Sequence, residues 1–224
     1  MKPAPLTIVK CPSCRENLYR HGMASGNTFG AVFWTDGYID APMLPHYPGF
    51  VKCPVCGKIM EINNLPKFWR EKPSIFDEEG LLQKQPAPSK VQDPLRLSIE
   101  EYLSLAKRLR DFGKIKNTII NAWWLANHPA RENPQAPHQL SGPLYAALER
   151  LLPALLKDPC DEQSRLMGAE ILRETGAFKA CLTELKQTRF SRVRKSKILI
   201  RRLALKKDSR VQAINPRPSD YWLR

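Results

Sequence analysis

Cys11-Pro12-Ser13-Cys14 and Cys53-Pro54-Val55-Cys56-Gly57 are two Cys-x-x-Cys pairs separated by 38 residues. One tight turn of this kind presents two sulfurs to one ion. Two of them supply four thiolates to a tetrahedral metal, for which Zn2+ is the best match. Four protein ligands leave no open coordination position, so one structural ion is expected rather than a catalytic one. Gly57 suits the positive φ of a tight turn, whereas Arg15 stands at the matching place after Cys14. The first turn is therefore expected to be less ideal or differently shaped. His21 and His46 are nearby in sequence and compete as ligands, although each reads more simply as a surface or packed histidine.

Working outward, β-forming residues flank both pairs. Leu6–Val9 enters the first, Phe50-Val51 enters the second, and Ile59–Ile62 leaves it. Thr28–Trp34 and Tyr38–Leu44 lie on either side of Asp36-Gly37, a strong hairpin signal. A short antiparallel sheet with metal turns at one end is expected. Residues 6–63 together resemble a zinc ribbon, in which two knuckles on β-hairpins grip one ion. The spacer exceeds that of a compact ribbon, and the Asp36-Gly37 hairpin is expected to fill it.

Residues 66–97 are proline-rich and read as a linker. Residues 98–210 read as helical. Ser98 followed by Glu101 forms a capping box, and Leu103, Ala106 and Leu109 share a face. Further helices are expected over 115–126, ending before Pro129, and over 144–156, with Pro153 kinking or ending the latter. Three more are expected over 161–175, 178–189 and 192–207. Within this region Ala169, Leu172, Gly176, Phe178, Cys181 and Leu185 resemble one tetratricopeptide-type repeat. That resemblance implies paired antiparallel helices joined by a glycine turn. The expected fold class is α+β: a zinc-ribbon-like domain at 1–65, a linker at 66–97, a helical array at 98–210 and a tail at 211–224.

The chain has 224 residues, is 42% hydrophobic and carries a net charge of +14. No apolar run is long enough to span a bilayer, and the first ten residues lack the apolar core of a secretory signal. A soluble cytoplasmic protein is expected, of undetermined oligomeric state. Cys160 and Cys181 stand alone, unlike a disulfide framework. The charge is concentrated late: residues 158–224 hold 16 basic and 8 acidic residues, and Arg189 to Lys207 holds nine basic residues and no acid. Arg189, Arg192, Arg194, Lys195, Lys197, Arg201, Arg202, Lys206 and Lys207 are thus the candidate polyanion contacts. Val193, Ile198, Leu199, Leu203 and Leu205 interleave with them, as in an amphipathic helix with a cationic outer face.

Other segments carry weaker signals. Ser25–Gly30 has glycines and hydroxyls but lacks the lysine and following helix of a P-loop, and reads as a turn. Ala41–Pro48 reads as a packed apolar loop. Trp123 and Trp124 point about 100° apart on a helix, so at least one is expected in the core. No nucleophile, base and acid can be assembled, and an enzyme built on Asp36, Asp40 and His46 is the least supported reading. The leading reading is a noncatalytic zinc-binding adaptor or scaffold that offers its helices to a protein or peptide. The alternative is a nucleic-acid-binding protein acting through the basic C-terminal helix in transcription or RNA handling.

Overall fold

A computed structural model of the chain describes residues 2–70, 88, 90–133, 135–136, 140–158, 160–187 and 193–215. The fold class is α+β: short strands in the N-terminal region precede six helices. The chain divides into two compact units. One comprises Met1–Phe29 with Ala41–Leu97, the other Gly30–Asp40 with Ser98–Arg224.

In the first unit, β1 (Lys2–Pro3) pairs with β4 (Met23–Ser25). The unit is organised by two hairpins. Strand β2 (Thr7–Lys10) pairs with β3 (Asn17–Tyr19) in the register Val9↔Leu18 and Lys10↔Asn17. Strand β7 (Phe50–Lys52) pairs with β8 (Ile59–Glu61) in the register Val51↔Met60 and Lys52↔Ile59. Strand β9 (Lys67–Arg70) adds to the free edge of β2, so β2 is central in its sheet. Its consecutive residues Thr7, Ile8 and Val9 are all buried, as expected of a strand covered on both faces. The far end of the proline-rich stretch also joins this unit, because Gln92 bonds Asn17 and Tyr19, and Leu95 bonds Lys52. The core is small: Val9, Leu18, Val51, Met60 and Ile62 cluster with Cys11 and Cys53. Two cysteines of the metal pairs are thus core residues.

The second unit contains the hairpin β5 (Val32–Phe33) and β6 (Ile39–Asp40) together with all six helices. The turn is the expected one: the Gly37 amide donates to the Trp34 carbonyl, and Gly37 has φ +79°. Helix α1 (Ile99–Arg108) opens with the full capping box at Ser98 and Glu101, and buries Tyr102, Leu103 and Leu105. The buried face is thus shifted from the Leu103, Ala106 and Leu109 stripe read from the sequence. Helix α2 (Phe112–Glu132) is capped by Asp111 and runs through Pro129 rather than ending before it. The expected break fails because the helix is held beyond the proline. Arg131 reaches back to donate to the Trp124 carbonyl, and the Asn133 amide bonds the Pro129 carbonyl.

Helix α3 (Gly142–Leu155) buries Leu144, Leu148, Leu151 and Leu155, one stripe at spacings of four and three. Pro153 lies inside it, near its end. Helices α4 (Glu162–Glu174), α5 (Phe178–Gln187) and α6 (Arg194–Leu205) then pack on one another. Their shared core is Leu166, Ala169, Cys181, Leu185, Ile200 and Ala204, with Leu172 and Phe178 at its margin. Gly176, at φ +83°, makes the α4–α5 turn. No helix among the described residues is long and apolar enough to cross a membrane.

Candidate metal centre

The two hairpin turns bring Cys11, Cys14, Cys53 and Cys56 together, with all four Sγ atoms within 4.8 Å of one another. Cys11 Sγ is 3.7 Å from Cys56 Sγ, and Cys14 Sγ is 3.6 Å from Cys53 Sγ. A metal–sulfur bond of about 2.3 Å in a tetrahedron implies sulfur–sulfur edges of about 3.8 Å, so the cluster has the dimensions of a four-thiolate site. The pairing alternates between turns, each contact joining one cysteine of each pair.

The turns themselves are alike. In the first, the Cys11 amide donates to Glu16 O (2.9 Å) and the Arg15 amide to Cys11 O (3.0 Å). In the second, the Cys53 amide donates to Lys58 O (2.9 Å) and the Gly57 amide to Cys53 O (3.0 Å). Arg15 takes φ +64° and Gly57 φ +70°. The expectation of a differently shaped first turn is therefore corrected. The shape is the same, and the departure from glycine appears as backbone strain at Arg15.

The electrostatics of the cluster call for a cation. At Cys11, burial works against ionisation, but the Cys14 and Ser13 amides and the neighbouring thiols outweigh it and bring the thiol down to about 7. At Cys14 the Glu16 amide favours the thiolate. Burial and the adjacent sulfurs of Cys56, Cys11 and Cys53 outweigh that help and push it up to about 12. Sulfurs this close cannot all ionise against each other, and a bound cation removes that conflict. Cys11 and Cys53 sit in the apolar core, while Cys14 and Cys56 are exposed, so an ion here would join core to surface. His21 and His46 are not part of the cluster. His21 Nε2 meets Asp93 Oδ1 at 2.6 Å and its ring stacks on Tyr47, while burial holds His46 below the usual imidazole value.

The remaining sequence-selected residues fall elsewhere. Asp36 is fully buried and makes the hairpin turn, accepting from the Tyr38 amide at 3.1 Å. Its other oxygen takes Arg131 and, at 2.9 Å, Asn127 Nδ2, which leaves it no reach toward a substrate. Trp123 is buried and donates to Glu174 (2.8 Å), while Trp124 donates to the Asp36 carbonyl and meets the edge of Tyr38. Phe29, in the glycine-containing turn, donates its amide to Asn27 Oδ1, an ordinary local turn bond.

On α6, Arg194, Lys195, Arg201 and Arg202 are exposed, and so are Lys206 and Lys207 beyond it; Lys197 is half-buried. Arg189 and Arg192 lie outside the described residues, as does the tail beyond 215.

Sequence reading missed a buried polar network in the helical unit. Trp123, Asn127 and Arg131 are four residues apart on α2 and present one face. Asn127 bridges Asp36 and Glu174. Arg173 binds both oxygens of Glu170 (2.8 and 2.6 Å) and donates to the Asp208 carbonyl. Asp36, Asn127, Glu170 and Arg173 have no exposed surface, and Glu174 has almost none. Burial, together with the charge of Glu170, holds the Glu174 carboxyl well above its ordinary value. The available signal was the four-residue spacing of polar and aromatic residues on α2.

Comparison with protein-family models, with curated proteins and with solved structures finds no match to this chain.

Proposed function

We propose that this chain is a noncatalytic nucleic-acid-binding protein, with one structural Zn2+ on Cys11, Cys14, Cys53 and Cys56 and its phosphate contacts on α6. The supporting observation is the two-sidedness of that helix. Leu199, Ile200, Leu203 and Ala204 are buried in the helical unit, which holds the opposite face outward. That outer face and the residues just beyond it expose Arg194, Lys195, Arg201, Arg202, Lys206 and Lys207, with no acidic residue between positions 194 and 207. Twelve helical residues rise about 18 Å, long enough to meet several successive phosphates.

Zinc is the ion assigned because four thiolates in a closed tetrahedron suit it, and its contribution is structural. The helical surface favours this reading over a protein-binding adaptor, because α6 offers cations where a peptide groove would offer an apolar surface. Phosphate contacts position a strand without reading its sequence, so binding of limited sequence preference is expected.

The test is a mobility-shift titration of the full-length chain with labelled single-stranded RNA and duplex DNA, beside an Arg194→Gln/Lys195→Gln/Arg201→Gln variant. Binding that weakens at least tenfold in the variant supports the reading. Equal binding by both proteins, or none at low salt, removes it.

A further inference from the structure

Helices α4 and α6 end in the same hydrogen-bond scheme. At α4 the Gly176 amide donates to Arg173 O (3.0 Å) and the Ala177 amide to Leu172 O (2.7 Å). At α6 the Lys207 amide donates to Ala204 O (3.2 Å) and the Asp208 amide to Leu203 O (3.0 Å). This closure needs a left-handed residue just past the helix. Gly176 supplies it at φ +83°, and Lys207 supplies it at φ +53°. Glycine adopts that conformation freely, while a residue with a Cβ is strained in it. At α6 the chain thus carries a strained lysine where its own α4 carries glycine. Such strain is a pointer to a site when the side chain has somewhere to act.

Lys207 lines a partly open cavity of about 780 Å³, together with Arg202, Lys206, Arg210, Ser209 and Gln135. One acid lines it too, Asp208, whose carboxylate is engaged by Arg210 Nε (3.0 Å) and Nη2 (3.1 Å) and by Gln212 Nε2 (3.1 Å). That leaves Arg202, Lys206 and Lys207 without a carboxylate partner among the described residues. The last carbonyls of α6, which would repel an anion, are taken up by the closing amides. The volume falls within the range of sites that hold a nucleotide-sized ligand.

We propose that this cavity is a phosphate pocket, in which Arg202, Lys206 and Lys207 take one phosphate group of the strand held along α6. The pocket rests on the nucleic-acid reading above. It predicts a trade between stability and binding at a single position. Lys207→Gly relieves the strain and removes the ammonium together.

The experiment compares full-length wild type, Lys207→Gly, Lys206→Gln and Arg194→Gln/Arg201→Gln. Each is titrated with labelled single-stranded RNA over a salt series, and each is melted. The expected result is that Lys207→Gly melts higher than wild type yet binds several-fold more weakly, with a salt slope shallower by about 0.7, the loss of one phosphate contact. Lys206→Gln binds more weakly as well. If Lys207→Gly and Lys206→Gln keep wild-type affinity and slope while Arg194→Gln/Arg201→Gln weakens, the pocket is overturned and the α6 reading stands. A lower melting temperature for Lys207→Gly with unchanged affinity gives Lys207 a structural role and also overturns the pocket. No binding by wild type removes both.

Discussion

Asp36 and Arg131, 95 positions apart in the chain, form a buried ion pair inside the helical unit. The pair ties the tip of the β5–β6 hairpin to the last turn of α2, past Pro129. The Arg131 guanidinium also lies 4.2 Å from the centre of the Tyr38 ring, so it is held by charge and by an aromatic face together. Thr35 and Phe33 of the same hairpin bond Gln212 and Ile214 beyond α6. The hairpin is a shared tie between α2 and the chain's later residues, and Asp36 supplies its charged anchor.

Removing one partner of this pair strands the other. Arg131→Met leaves the Asp36 carboxylate buried and unpaired, and is expected to destabilise the helical unit by about 3–5 kcal/mol. Asp36→Asn combined with Arg131→Met should cost clearly less than the sum of the two single changes. Denaturant unfolding followed by tryptophan fluorescence measures both. Additive costs would show that the pair acts through packing and not through charge.

Glu174 gives the helical unit an unusual response to pH. Its carboxyl is held well above the ordinary 4.5 by burial and by Glu170, so the folded protein keeps a proton that the unfolded chain releases. Stability from this group is therefore greatest at the acidic end and falls as pH rises above about 4.5. Glu174→Gln removes that decline while keeping an acceptor for Trp123. The melting temperature of the variant, relative to wild type, is expected to climb between about pH 5 and about pH 8. Parallel curves would mean that Glu174 is already ionised in the fold.

The metal centre predicts separable stability of the two units. Cys53 is a core residue as well as a ligand, and the core around it is only a few residues wide. In Cys53→Ser, zinc per chain measured by elemental analysis should fall well below one. Hydrogen exchange should then accelerate at Val9, Leu18 and Val51, while far-ultraviolet circular dichroism keeps its helical signal. Wild-type metal content in the variant would show that the ligand set is wrong.

Arg15 carries strain that glycine at the same place would not. Arg15→Gly is expected to stabilise the metal unit by about 1 kcal/mol, read as a higher chelator concentration at half-loss of metal. Gly57→Ala should shift that midpoint the other way. If Arg15→Gly lowers the midpoint, the arginine side chain supports the knuckle in a way its backbone angle does not reveal.

These elements differ in how far the sequence discloses them. The cysteine pairs, the Asp36-Gly37 turn and the Ser98 capping box are local signals, in which a few adjacent residues set the geometry, and all three appear where the sequence places them. The 3.6-residue periodicity likewise locates the helices of residues 98–205. What stayed hidden is long-range. Nothing around Asp36 announces that its carboxylate will meet Arg131 and Asn127, because the pairing is decided by packing between segments distant in sequence. Pro129 misled for the same reason: proline normally ends a helix, but Arg131 draws on tertiary contacts to carry α2 past it. The strain at Arg15 and Lys207 is also illegible locally, since both are residues that ordinarily avoid positive φ.

The account rests most heavily on α6 as a phosphate-binding face, and the salt dependence of nucleic-acid binding tests it most directly. The logarithm of the association constant of the full-length chain should fall linearly with the logarithm of salt concentration. In Arg194→Gln/Arg201→Gln/Arg202→Gln, the slope should become shallower by about one for each residue neutralised. A slope unchanged by the three substitutions, or binding insensitive to salt, would contradict the account.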